Sequence, residues 1–199
     1  MTDTKPTQEG LNEQEYEEYA RLCATLMVEF SGILHPEEVA DLKRFDSMSD
    51  YSYTYIRNAL ILNKNENAQL LFMTVNYADH RHSSFYKQIY GYARLNNNFG
   101  KVLLRPEKPI DRVIGFLNPV EARLTHDRKF DRSFHILASN TYALKEHMTS
   151  EFRQAISEIE TPEFFIEINE TELLIGDRKP WNIDTARDFA AFLLKLSSL

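Results

Sequence analysis

Cysteine is nearly absent from this chain. With Cys23 alone, no intrachain disulfide can form, and a lone thiol flanked by Leu22, Leu26 and Met27 is expected to be buried and inert. Glycine and proline are also scarce, at six and seven residues, which excludes collagen-like repeats and linker-rich architecture. None of the glycines falls in a G-x-x-x-x-G-K or G-x-G-x-x-G pattern, so a backbone cradle for nucleotide phosphates is excluded. Ser83, Ser84, Ser133 and Ser139 lack the flanking glycines of a nucleophile elbow. No apolar run approaches the roughly 18 residues of a membrane span. Met1 to Pro6 lacks the charged-then-apolar layout of a secretory signal, so the cytoplasm is the expected compartment and no membrane insertion is expected. Internal repeats and low-complexity tracts are missing as well.

What is present is apolar bulk. The 199 residues are 43% hydrophobic and include thirteen Phe and ten Tyr, ample area to offset the entropy of ordering. The expectation is a disordered tail over residues 1–10 and a single domain over 11–199. The net charge of −7 is unevenly spread: −8 over residues 1–50, +6 over 51–132 and −5 over 133–199. Acidic ends around a basic middle can be satisfied inside one chain if the N-terminal helix packs near the middle, or can steer a partner.

The periodicity defines an α+β protein. Tyr16, Tyr19, Ala20, Cys23, Leu26, Met27 and Phe30 recur at spacings of three and four, predicting an amphipathic helix whose outer face carries Glu13, Glu17, Glu18 and Arg21. Pro36-Glu37-Glu38 reads as the first turn of a second helix running to about Phe45. The period then falls to two. Tyr51, Tyr53 and Tyr55 alternate with smaller residues; the runs 51–62, 70–77 and 85–94, separated by Asn63–Asn67 and Asp79–Ser84, predict an antiparallel meander. After a loop at Asn96-Asn97-Asn98 come a short strand from Lys101 to Arg105 and a helical turn within Pro106–Leu117. A strand marked by Phe130, Phe134, Ile136 and Ala138 follows, then a helical stripe of Leu144, Met148, Phe152, Ile156 and Ile159. A hairpin of 164–168 with 173–175 and a final helix, Ile183 to Leu196, capped by Asn182 or Asp184, complete the chain. The whole reads as N-terminal helices packed on a mostly antiparallel sheet, then a strand–helix–hairpin–helix block.

Three constellations carry potential chemistry. His80 and His82 form an H-x-H pair whose imidazoles share one side of an extended backbone, as metal ligands require, with a further ligand available from His126, Asp127 or His135. Its place between two strands equally suits a solvated turn. The run from Thr125 to His135 concentrates titratable groups suited to acid–base work, or to the alternating charges of a protected strand. Arg81, Phe85, Tyr86, Lys87, Tyr90, Tyr92 and Arg94 interleave cations with aromatics, as a surface that stacks bases or grips a partner would; overall acidity opposes nucleic acid. Arg81, Tyr86, Lys87 and Arg94 are therefore the candidate partner contacts. Asn169-Glu170-Thr171 matches a glycosylation sequon but, without a secretory signal, reads as a hairpin turn.

The segment Phe130-Asp131-Arg132-Ser133-Phe134-His135-Ile136, with Phe164 to Ile168 and Glu172 to Ile175, resembles families of uncharacterised bacterial proteins. In them an F-x-x-x-F strand is followed by a helix, a hairpin and a last helix. Leu103-Leu104-Arg105-Pro106-Glu107 is similar to an L-R-P-E element upstream of that block. The resemblance spans about residues 100–199 and implies a fold, no activity and no catalytic residue. The functional expectation is a non-enzymatic accessory or regulatory protein of a bacterial cell that binds another protein and needs no cofactor. An immunity-type protein using its acidic N-terminal helix against a basic toxin is one concrete version. The alternatives are a metal-dependent enzyme built on His80/His82 or on His126–His135, and a nucleic-acid-binding module.

Overall fold

The computed structural model describes residues 11–35, 42–49, 51–63, 65–77, 85–108, 124 and 127–197. The expected N-terminal tail, the break at Asp79–Ser84 and the helical turn beyond Lys108 lie outside them. The elements are α1 (Glu13–Glu29), β1 (Ile33–His35), β2 (Tyr51–Leu62), β3 (Asn65–Tyr77), β4 (Phe85–Arg94), β5 (Lys101–Pro106), α2 (Arg128–Ser133), β6 (Phe134–Ala138), α3 (Thr141–His147), α4 (Ser150–Ser157), β7 (Phe165–Asn169), β8 (Glu172–Gly176) and α5 (Ile183–Leu196). Two 3-10 turns, Leu42–Arg44 and Asp46–Met48, stand between β1 and β2. The fold is α+β, as the periodicity indicated. No helix among the described residues is long and apolar enough to cross a membrane.

All strands pair antiparallel in one eight-stranded sheet of order β1-β2-β3-β4-β8-β7-β5-β6. The meander β2–β3–β4 forms as expected. Its first turn is tighter than the polar run suggested: β3 already begins at Asn65, and Asn63 takes the left-handed conformation (φ 48°) that asparagine tolerates. A register shift falls between Tyr51 and Tyr53, so the tyrosine alternation does not keep one environment: Tyr51 is buried, Tyr55 46% exposed.

The C-terminal hairpin is what makes the sheet continuous. β8 pairs with β4 and β7 with β5, so the hairpin is inserted between two strands adjacent in sequence. The β4–β5 connection wraps the hairpin turn, with Leu95 N donating to Thr171 O (2.7 Å) and Glu170 N to Gly100 O (2.8 Å). Asn169-Glu170-Thr171 is that turn, with Glu170 at φ 59°.

One face of the sheet lies under helices. A capping box at Asn12 starts α1, and Asn182 caps α5 through Thr185 N (2.8 Å). The buried stripe of α1 is Tyr19, Leu22, Cys23 and Leu26; Tyr16 and Met27 are 52% and 37% exposed and Ala20 is exposed too. The stripe is rotated from the expected one because Tyr19 stacks on Trp181 (5.1 Å between centroids) and its hydroxyl meets Asn58. The stripe from Leu144 to Ile156 is buried as expected but belongs to two helices. Thr149 ends the continuity by capping Phe152 N (3.2 Å). Residues 130–133, expected as the start of a strand, lie in α2, because Asp127 accepts from Phe130 N (3.0 Å) and caps the turn; β6 begins only at Phe134.

The other face is covered in part. Of the expected second helix, residues 36–41 lie outside the described ones and the rest is the first 3-10 turn, Leu42–Arg44; the second, Asp46–Met48, follows it. Leu42, Phe45 and Met48, spaced by three, bury against the meander and Leu174 as a second core. These turns form a strap across that face.

Candidate partner-binding groove

The strap ends at β7. Glu167, 7% exposed, accepts from Asp46 N (2.6 Å) and Ser47 N (2.9 Å), so a buried carboxylate pins the positive end of a 3-10 turn. Arg44 adds an ion pair to Glu172 (2.9 Å) and its carbonyl accepts from Asn169 Nδ2 (2.9 Å). Beyond this fastening the same face of β5, β6 and β7 forms, among the described residues, a groove of about 910 Å³.

Register builds its floor. Leu103 stands opposite Leu137 on β6 and opposite Glu167 on β7, so the three form a row across the strands. Phe165, Leu103 and Leu137 are each half-buried. Asp46 and Ser47 of the strap form one wall; Pro106, Lys108, Pro162, Glu163 and Arg178 stand at the other side. At the seam with the covered half, Gly176 lets the Tyr90 ring lie against its backbone: a Cβ there would meet Tyr90 at 2.4 Å and Phe165 at 3.2 Å. Tyr90 and Phe165 meet edge to face (6.2 Å), and Arg178 lies over the Phe165 ring (5.6 Å). Beneath them Tyr51, Tyr90 and Gln88 close a buried hydroxyl–amide cluster at 2.6–3.0 Å.

The charges around the groove are paired within the chain. Lys101 meets Asp46 (3.6 Å), and Glu163 meets Lys179 (3.2 Å) and Lys108 (3.9 Å). Lys87–Glu15, Lys101–Asp46 and Lys108–Glu163 join basic residues of the middle third to carboxylates of the outer thirds, the internal compensation that the charge pattern allowed. Asp177, at the groove's end, is 7% exposed, and burial raises its pKa against hydrogen bonds from Lys179 N (3.0 Å) and the Thr185 hydroxyl (3.3 Å).

The residues singled out in the sequence do not assemble into this site. Arg81, His80, His82 and His126 lie outside the described residues. Tyr86 and Lys87, adjacent on β4, point to opposite faces; Lys87 is engaged by Glu15 and Tyr86 is 41% exposed. Arg94 sits at the far end of β4, its Nε on the Tyr92 hydroxyl (3.4 Å), while Tyr90 and Tyr92 are core. Asp127 caps α2 and pairs with Arg153 (3.1 Å); His135 stands opposite Arg105 on β5. No group of three metal-ligating side chains comes together among the described residues. Burial pushes the Cys23 thiol up to about 11, as the expected inert thiol requires.

The floor residues Leu103, Leu137 and Phe165 were not singled out, though a signal existed. β5 and β6 carry apolar residues at successive positions, Val102-Leu103-Leu104 and Ile136-Leu137-Ala138, so each strand places one leucine on the face away from the helices, between polar neighbours.

No family model matches the chain, and no curated protein matches it. Among solved structures, the crystal structure of the mycobacterial trehalose monomycolate transport factor A, TtfA, is similar at 11% identity, with 90% of this chain and 94% of that chain covered and a TM-score of 0.47. At that identity and score the likeness bears on neither fold nor function.

Proposed function

We propose that the chain is a non-enzymatic accessory or regulatory protein that docks a segment of another protein in the groove over β5, β6 and β7. The observation that carries this reading is the partly buried pair Leu103 and Leu137, opposite each other on β5 and β6 of a sheet face whose other half is covered, in a groove lined also by Phe165. Apolar area left open inside a charged rim is the anatomy of a recognition surface. A rim whose cations already meet carboxylates of the same chain gives little purchase to phosphates, which argues against nucleic acid. The acidic face of α1, with Glu13, Glu17 and Glu18 exposed, lines no part of the groove, so an immunity-type use of that face would be a separate contact. The setting in a bacterial cell rests on the resemblance of the 100–199 block.

The test is a photo-crosslinking amino acid placed at Leu137, and in a second chain at Tyr142, which is 76% exposed on α3. Expressed in native cells, the Leu137 probe is expected to give one dominant protein adduct that the Tyr142 probe does not. Equal adducts from both positions, or none from Leu137, overturn the reading.

A further inference from the structure

We infer that the C-terminal hairpin is an inserted keystone: β4 and β5 can close the sheet directly on each other, and the late entry of β7 and β8 between them fastens the strap and completes the groove floor. This goes beyond the docking reading and holds whatever the groove receives. β4 and β5 are consecutive in the chain and antiparallel to each other, since β4–β8, β8–β7 and β7–β5 are three antiparallel steps. Only residues 95–100 join them, and the three asparagines there suit the conformations of a hairpin loop. Strands so placed ordinarily pair with one another. Here two strands synthesised much later stand between them.

The register makes the direct closure free of any slip. Across the sheet Ala93 faces Leu173, Leu173 faces Ile168 and Ile168 faces Val102. Tyr92, Leu174, Glu167 and Leu103 form the next rung, and Gly91, Ile175, Ile166 and Leu104 the one after. With the two middle residues of each rung withdrawn, Ala93 meets Val102, Tyr92 meets Leu103 and Gly91 meets Leu104. An offset of one residue would have set helix-side positions against strap-side ones. Instead Ala93, Val102 and Leu104 share the helix-side core, while Tyr92 lies in the strap-side core and Leu103 on the groove floor that continues it.

What the hairpin brings with it gives the insertion its consequence. Glu167, Asn169 and Glu172, which hold Asp46, Ser47 and Arg44 of the strap by hydrogen bonds, all belong to the hairpin. Phe165, Glu167 and Ile168 form the β7 side of the groove. Residues 95–100, the loop of a direct β4–β5 hairpin, instead clasp the tip of the inserted one: Leu95 N donates to Thr171 O, Phe99 N to Glu170 O, and Gly100 O accepts from Glu170 N. With the hairpin out, the strap loses these acceptors and the groove loses one of its strands. Insertion of strands into a sheet is thus the step that couples the sealed half to the groove half.

The direct closure can be locked and read. Arg94 and Lys101 end one rung, with Glu172 and Asn169 between them. Three strand spacings hold them about 14 Å apart, beyond the roughly 7 Å between Cα atoms that a disulfide spans; in the direct closure they are opposite each other. The full chain carrying Arg94→Cys, Lys101→Cys and Cys23→Ala is oxidised in urea, returned to buffer and followed by residue-resolved hydrogen exchange. The reduced chain is expected to show the parent pattern. In the oxidised chain β2 and β3 are expected to stay protected, while residues 165–176 together with Asp46 and Ser47 exchange at least a hundredfold faster, and reductant is expected to reverse this. Protection lost throughout the oxidised chain means that no second closure exists and overturns the inference, as does a hairpin that stays protected; Asp46 and Ser47 unchanged overturn its hold on the strap. Ala93→Cys with Val102→Cys, one rung further in, repeats the test if the first reduced chain departs from the parent pattern. In pulse-labelled refolding of the parent, residues 165–176, Asp46 and Ser47 are expected to gain protection together, at least tenfold later than β3, and a single phase shared with β3 overturns the late entry.

Discussion

Two halves of one sheet present the same face differently. Over β2, β3, β4 and β8 that face is sealed by the strap, with Phe45, Met73, Tyr90 and Leu174 all buried. Over β5, β6 and β7 no described residue seals it, and Leu103 and Leu137 stay partly buried. Strand chemistry separates the halves in part: on the uncovered face Leu103 stands between Lys101 and Arg105 and Leu137 between His135 and Ser139, whereas Leu71, Met73 and Val75 succeed one another on β3. The rest of the difference lies in how far one short segment reaches. The strap ends where Glu167 takes its last two amides, and no described residue covers the face beyond.

The contrast is most directly broken by truncating one apolar residue on each half. Phe45→Ala removes a ring that is 1% exposed and is expected to cost about 3–5 kcal/mol in urea unfolding. Leu137→Ala, on the open half, is expected to stay within about 1 kcal/mol of the parent. Equal costs would mean that the open face is as tightly packed as the sealed one.

A smaller loss, about 1–3 kcal/mol, is expected for Glu167→Gln, which takes the charge from a buried acceptor of two amides. Its signature is local: faster hydrogen exchange at Asp46 and Ser47, with β3 and β4 amides unchanged. Uniform acceleration would show that Glu167 supports the whole sheet and not the strap's end. At the seam, Gly176→Ala drives a methyl into the Tyr90 ring and is expected to cost about 1–3 kcal/mol. Combining it with Tyr90→Leu should recover part of that loss, and full additivity would refute the proposed contact.

The smallest effect concerns the covered half from its other side, where α1 is tied to β4. Glu15 has a pKa below its ordinary value, chiefly through its hydrogen bond from Lys87. Its contribution to stability is therefore present above the ordinary glutamate value of about 4.3 and disappears as pH falls through the lowered folded value. Lys87→Met should flatten that acid-side slope and cost below about 1 kcal/mol at neutral pH, because the pair is partly solvated. An unchanged slope would show that Glu15 is held by the Asn12 cap instead.

Much of the fold was legible in local pattern. Asn182 and the apolar stripe through Leu196 mark α5, and the turn Asn169-Glu170-Thr171 marks the hairpin. Caps and periods act within a few residues, so a linear reading captures them. Failures occurred where distant residues decide. Trp181, far along the chain, chooses which side of α1 is buried, and Asp127 turns residues 128–133 into helix by a single cap. The candidate contacts Tyr86, Lys87 and Arg94 looked like one surface because they are close in sequence, yet the strand's alternation and length disperse them. The groove was illegible in that list because its floor comes from three strands far apart in sequence.

By itself, then, the sequence determined most of the elements: an α+β chain with an amphipathic first helix, a capped last helix, an antiparallel meander, a C-terminal hairpin, and a basic middle between acidic ends. Tertiary structure alone decided that the hairpin enters between β4 and β5, that the strap stops at Glu167, and that Leu103, Leu137 and Phe165 face an open groove. The physical reason is range. Backbone dihedrals and caps are fixed by neighbours a few residues away, whereas the choice of covered face depends on which remote segment arrives first and how far its chain can reach.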